Sequence, residues 1–110
     1  MVKVMYFVKR AEHLSVEEFE KWWLETHAVE VRGGQVPLLV RYVVNLRVAD
    51  TLPGKPDAEP EWDGVAEEWF ATEADFAAVY GRDDREEHED FVAHTSRAER
   101  LIVREITFVG

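Results

Sequence analysis

Residues 15–27 read SVEEFEKWWLETH and predict the first helix of the chain. Ser15 and Glu18 have the spacing of a capping box, in which each side chain bonds the other residue's backbone N–H, so the helix should begin at Val16. Gly33 and Gly34 should end it. One buried helix face is expected to carry Phe19, Trp22, Trp23, Thr26 and His27.

Strand-like segments surround this helix. Alternation and β-branched or aromatic composition predict strands at residues 2–10, 38–49, 62–71 and 101–109. Thr72 should cap a short helix that ends at Gly81, and a further helical piece is expected around residues 91–93. Residues 50–61, with three prolines, are expected to form a loop. The order β-α-β-β-α-β predicts one α+β domain over residues 1–110, ferredoxin-like, with a four-stranded antiparallel sheet.

The first and last predicted strands carry apolar side chains on both faces. In the first, Met5 and Phe7 alternate with Val4, Tyr6 and Val8. Helices can cover only one face of such a sheet, so the other face also needs burial. We therefore expect a two-fold homodimer in which a partner lays its own sheet against this one, forming a dimeric α/β barrel.

Composition excludes several classes of function. Among 110 residues, 23 Asp and Glu outnumber 13 Lys and Arg, for a formal net charge of -10. A surface this negative repels nucleic-acid phosphates and anionic lipid, so we expect neither nucleic-acid nor membrane binding. The absence of cysteine removes disulfides, thiolate metal sites and cysteine nucleophiles. Residues 4–8 are too short an apolar run for a signal peptide or membrane span, which favours a cytoplasmic protein.

Two side chains on predicted apolar faces are candidates for chemistry. His27 lies on an aromatic helix face where packing does not require imidazole, and imidazole suits proton transfer near neutral pH. A core histidine bonded to a backbone carbonyl would give the same pattern. Tyr42 lies on the apolar face of the second strand, where its hydroxyl can donate to a substrate oxygen or belong to an ordinary core aromatic.

Glu67 is the third candidate. It stands between Val65 and Trp69 on one face of the third strand, so its carboxylate should pair with a cation or have its pKa raised by desolvation towards that of a general base. In the other possible register Glu67 faces solvent or meets Arg104.

Other motifs are weaker. His88, Asp90 and His94 suggest a metal site, but six residues between the histidines place them on different sides of a helix, so we predict no metal. The chain has no glycine-rich phosphate loop and no serine nucleophile motif, which leaves nucleotide cofactors without support.

The chain resembles the EthD family of the dimeric α/β-barrel superfamily. The resemblance rests on VMYFVKR (residues 4–10), LSVEEF (14–19), WWLETHA (22–28), RYV (41–43), WDGVAEEWF (62–70) and DFV (90–92). Trp23 with His27 and the Asp-Gly-x-Ala-Glu run from Asp63 to Glu67 are its most specific parts in combination. The resemblance implies the fold, relatives such as isomerases, polyketide cyclases and cofactor-free oxygenases, and a functional role for His27.

Residues and resemblance together predict a cofactor-independent acid/base enzyme, an isomerase or lyase that acts on a small cyclic or aromatic carbonyl compound. In this prediction His27 moves a proton, Tyr42 steadies an enolate or phenolate oxygen, and Glu67 orients His27 or serves as a second base. The cleft between the first helix and the second and third strands would be lined also by Trp23, Trp69 and Phe91. The alternatives are a cofactor-free monooxygenase of phenols and a non-catalytic small-molecule-binding accessory protein of an oxygenase system.

Overall fold

The computed structural model describes residues 1–48, 60–81 and 89–110. The strands are β1 (Val2–Arg10), β2 (Leu39–Leu46), β3 (Gly64–Phe70) and β4 (Thr95–Val103). The helices are α1 (Val16–Trp22), α2 (Ala28–Gln35), α3 (Glu73–Tyr80) and α4 (Glu89–His94), and a π-helical turn, Trp23–His27, joins α1 to α2. Among the described residues, no helix is long and apolar enough to cross a membrane.

The four strands form one antiparallel sheet in the order β2-β3-β1-β4, which confirms the predicted ferredoxin-like α+β fold. The helices pack on one face, here called the helix side. Val8 and Ala66 of the sheet are buried there against Phe19 and Trp23, and Val4 and Phe70 are buried against Val79 of α3. The apolar layer between sheet and helices is therefore the core of the molecule.

The opposite face of the sheet, here called the open face, carries no helix in the described part of the chain. Its side chains include those of Lys3, Met5 and Phe7 of β1, Arg41, Val43 and Asn45 of β2, Val65, Glu67 and Trp69 of β3, and Glu99, Leu101 and Val103 of β4. Charged and apolar residues alternate across it, unlike the apolar helix side.

Local capping signals gave accurate helix ends. Ser15 accepts from the Glu18 backbone N–H at 3.0 Å, and Glu18 accepts from the Ser15 N–H at 3.0 Å, which confirms the capping box. Thr72 caps α3 through the Asp75 N–H at 3.1 Å, and Gly81 follows its last residue. The first helix continues through the two glycines to Gln35, slightly beyond its predicted end.

The last strand was predicted wrongly. It runs over Thr95–Val103 and not over residues 101–109, so Ile106 and Phe108 lie beyond the sheet. β4 is an edge strand with one neighbour, β1, and most of its residues are exposed, so polar residues are tolerated along it. The second and third strands are shorter at both ends than predicted. Most of the predicted loop at 50–61 lies outside the described residues.

Candidate functional site

The π-helical turn decides what His27 contacts. The Ala28 N–H bonds the Trp23 carbonyl, five residues back, so the helix widens here. As a result the His27 ring stacks on Trp22, with ring centres 5.1 Å apart and planes inclined by 21°. Phe91 of α4 lies 5.2 Å from the same imidazole. His27 is half-buried, on an aromatic surface, at a kind of helical irregularity that is frequent at functional sites.

Trp23 occupies the centre of the helix side. Its indole is buried, 5.5 Å from the Phe19 ring, and lies against Gly64 at the start of β3. A Cβ atom at position 64 would be 2.5 Å from Trp23 Cζ3, so the absence of a side chain there lets the indole approach the sheet. Tyr42 packs against the same apolar cluster.

The hydroxyl of Tyr42 stays protonated far above neutral pH. Burial raises the pKa of Tyr42 to about 12, the indole N–H of Trp23 acts in the opposite direction, and the Glu68 carboxylate raises it further. Tyr42 therefore presents a neutral O–H, a hydrogen-bond donor, within an apolar layer.

Glu68 is the buried carboxylate of the helix side, with 4% of its surface exposed. The Tyr80 hydroxyl donates to Glu68 Oε1 at 2.5 Å, and Tyr42 is the cross-strand neighbour of Glu68 on β2. Sequence reasoning missed this residue. The signal that identifies it is its parity with Ala66 and Phe70, which share the helix side.

Glu67 lies on the open face, so its predicted position in the helix-side cleft is wrong. Lys3 Nζ lies 2.8 Å from Glu67 Oε2, and Asn45 Nδ2 donates to Oε1 at 2.8 Å. The ammonium of Lys3, followed by the amide of Asn45, lowers the pKa of Glu67. This is the cation-paired alternative that the sequence left open, with Lys3 in place of Arg104.

Trp69 also lies on the open face and does not line the helix-side cleft, contrary to its predicted position. Lys3 Nζ lies 4.6 Å from the centre of its ring, and the Arg41 guanidinium lies 4.5 Å from it. These two cationic side chains cover the Trp69 ring, which the sequence pattern had predicted to line a ligand cleft.

The structure thus brings together four of the six predicted site residues, in two pairs. His27 contacts Phe91, and Trp23 faces Tyr42. Both pairs belong to or border the apolar cluster that contains Val8, Phe19 and Ala66. Within residues 1–48, 60–81 and 89–110, no three His, Cys, Asp or Glu side chains gather as a metal ion would require. His88 falls outside these ranges.

Comparison with known proteins agrees with the fold. The model of the EthD domain matches residues 11–95. The chain belongs to the EthD family. A comparison with proteins of curated function gives no match.

Solved structures extend the likeness of this EthD chain to nearly its whole length. An EthD family protein from Bacillus halodurans has a TM-score of 0.71 and 19% identity, with 96% of this chain and 99% of that chain covered. SnoaB, described as a cofactor-independent oxygenase from Streptomyces nogalater, has a TM-score of 0.59 and 19% identity, with 98% of this chain and 94% of that chain covered. A protein from Bacteroides fragilis, described as dimeric with a ferredoxin-like fold, has a TM-score of 0.58 and 16% identity, with 94% of this chain and 95% of that chain covered. At these identities the likeness is one of fold.

Proposed function

We propose that this EthD protein is a cofactor-independent acid/base enzyme, an isomerase or lyase, and that its substrate is a small flat carbonyl compound bound on the helix side. The observation that carries the proposal is the buried Glu68 carboxylate beside Tyr42, in a layer that is otherwise apolar. Burying a carboxylate costs stability unless it is hydrogen-bonded, so its position beside the Tyr42 hydroxyl supports a functional role for Glu68.

Each polar group on this side has a role that its environment supports. His27 moves the proton, because its imidazole is half-buried yet stacked on a ring that fixes its plane. Tyr42 donates a hydrogen bond to the oxygen on which charge develops, because its pKa of about 12 keeps the hydroxyl protonated. Glu68, in place of Glu67, orients the site or acts as a second base.

The reaction begins with His27 and Tyr42. The imidazole takes a proton from the carbon next to the carbonyl, and the Tyr42 O–H stabilises the enolate oxygen. In an isomerase the proton is then delivered to a different carbon, and in a lyase a leaving group departs. An acid or base placed in this way supplies roughly 10²- to 10⁴-fold in rate. Trp22 and Phe91 flank the half-buried His27 ring with flat apolar surfaces that suit a ring-shaped substrate, and the buried Trp23 packs in the same cluster.

A cofactor-free monooxygenase of phenols is the second candidate. It is favoured by the likeness to SnoaB, which is described as a cofactor-independent oxygenase. The same imidazole would then deprotonate a phenol, and oxygen uptake during turnover separates this reaction from isomerisation or elimination. Stoichiometric binding without turnover would instead favour a non-catalytic accessory protein.

The proposal includes a homodimer formed through the open face. Leu101 is more than half exposed in the single chain, and Phe7 and Met5 lie beside it in the sheet. A second copy would cover these side chains, and the structural neighbour from Bacteroides fragilis is described as dimeric.

A thermal-shift screen of phenols, quinones, lactones and polyketide-like acids tests the ligand class. We expect a compound that stabilises the wild type and the control His13→Ala, whose histidine is exposed on a loop, but not His27→Ala. That compound then enters turnover and oxygen-uptake assays. Equal stabilisation of all three proteins would contradict a site at His27.

A further inference from the structure

A second histidine stacks on the same indole as His27. His94, at the end of α4, stacks on Trp22 with ring centres 4.5 Å apart and planes inclined by only 3°. His27 stacks on the same indole at 5.1 Å. The two imidazoles therefore lie within about 10 Å of each other, near enough for their charges to interact.

Asp90, one turn earlier on α4, holds this arrangement. Its Oδ2 accepts from the Trp22 indole N–H at 2.8 Å. Its backbone carbonyl lies 2.6 Å from His94 Nδ1, and its Oδ1 lies 3.4 Å from the same nitrogen. Both partners of Nδ1 are acceptors, so Nδ1 carries the proton, and Nε2 is the nitrogen at which His94 gains or loses one.

We propose that His94, held in this tautomer by Asp90, is a second proton-transfer residue of the His27 site. The proposal rests on the proposed function and narrows it to the isomerase reaction. An isomerase must remove a proton at one position of its substrate and deliver one at another, and two imidazoles can divide these two tasks between them.

The protons balance over one turnover. The neutral imidazole takes a proton from a C–H bond next to the carbonyl, and the electron pair of that bond moves towards the oxygen. The protonated imidazole gives its proton to a different carbon of the substrate as the carbonyl re-forms. The product is an isomer, no oxidant or reductant is consumed, and the two histidines have exchanged protonation states.

The contacts of this stack within residues 1–48, 60–81 and 89–110 come from three elements. Asp90 approaches His94 from α4 itself, His27 approaches Trp22 from the π-helical turn, and Tyr6 of β1 reaches the cluster through Phe91 at 6.0 Å. Replacement of His94 with Phe keeps a flat ring on Trp22 while it removes both nitrogens. His13→Phe makes the same change at an exposed position of the loop before α1 and is the matched control.

Imidazole NMR of the ¹⁵N-labelled full chain tests the proposal without a substrate. In wild type we expect neutral His94 to carry its proton on Nδ1. In His94→Phe we expect the His27 titration midpoint to rise by roughly 0.5 pH units, because a nearby cation has been removed. An unchanged His27 midpoint in His94→Phe, or a neutral His94 with its proton on Nε2, would overturn the proposal. His13→Phe should leave His27 unchanged.

Saturation with 4-nitrophenol, whose planar phenolate resembles the enolate of the proposed reaction, then separates the two proposals. We expect it to shift the imidazole signals of both His27 and His94. A shift of His27 alone removes His94 from the site and leaves the proposed function standing. If neither signal moves, the proposed function itself is contradicted, and His94 has no reaction to serve.

Discussion

Glu67 and Glu68 are adjacent in β3, and their carboxylates lie on opposite faces of the sheet. Glu67 pairs with Lys3 on the open face, and Glu68 accepts from Tyr80 in the apolar layer on the helix side. Two residues of one type thus have different environments, one ionic and partly exposed, the other buried among apolar side chains. The candidate site depends on the second of them.

Glu68→Gln keeps the size of the side chain and an acceptor for Tyr80, and removes the negative charge next to Tyr42. We expect kcat/KM for the compound found by thermal shift to fall by roughly 10²-fold, with the fold retained. Glu67→Gln is the matched control, because the same change on the open face should leave kcat/KM nearly unchanged. A larger loss in Glu67→Gln than in Glu68→Gln would contradict the assignment.

Alkaline titration provides a test of Tyr42. Its folded pKa is raised from 10.0 to about 12, so the neutral hydroxyl favours the folded state below pH 10. That stabilisation is lost as the pH rises from about 10 to about 12, where only the unfolded chain ionises readily at this residue. Urea unfolding across this range should show a smaller alkaline loss in Tyr42→Phe. An identical loss in wild type and variant would refute the burial of this hydroxyl.

Gly64→Ala probes the contact that seats Trp23. The new methyl group would meet Trp23 Cζ3 at 2.5 Å and the Asn45 carbonyl oxygen at 2.8 Å, so we expect a loss of about 1–3 kcal/mol in the free energy of unfolding. Gly33→Ala in α2 meets nothing within 4 Å and should raise stability by roughly 0.5–1 kcal/mol. Urea unfolding measures both, and equal effects would argue against tight packing at Trp23.

The homodimer is tested on β4, where neighbouring residues face opposite sides. Leu101→Glu places a charge on the open face, and we expect it to yield a monomer in analytical ultracentrifugation. Ile102→Glu places the same charge on the helix side of the same strand, and this control should remain dimeric. A Leu101→Glu protein that sediments as a dimer would show that the interface lies elsewhere.

Short-range signals in the sequence were sufficient for much of the fold. The Ser15 cap, the Thr72 cap and the bounds of β1 follow from residues within a few positions of each other. The apolar character of Phe19, Trp22 and Trp23 was enough to orient the first helix towards the sheet. These features depend on local chemistry, which a single sequence contains.

Features that depend on distant residues were not predictable. Both faces of β3 are partly apolar, so alternation alone could not separate Glu67 from Glu68; the helices that bury Ala66 and Phe70 on one face, and Lys3 of β1 on the other, distinguish them. The π-helical turn, through which the His27 ring stacks on Trp22, cannot be recognised from the residues of the turn alone. β4 tolerates polar residues because it lies exposed at an edge of the sheet, and its position there is a property of the assembled sheet.

The most direct test of the account is where a flat ligand binds, and the four tryptophans report it. Trp22 and Trp23 lie on the helix side, whereas Trp69 lies on the open face and Trp62 packs there against Phe7. Titration of the ¹⁵N-labelled protein with 4-nitrophenol should shift the indole N–H signals of Trp22 and Trp23 and leave those of Trp62 and Trp69 in place. Shifts confined to Trp62 and Trp69 would place the ligand on the open face and contradict a helix-side active site.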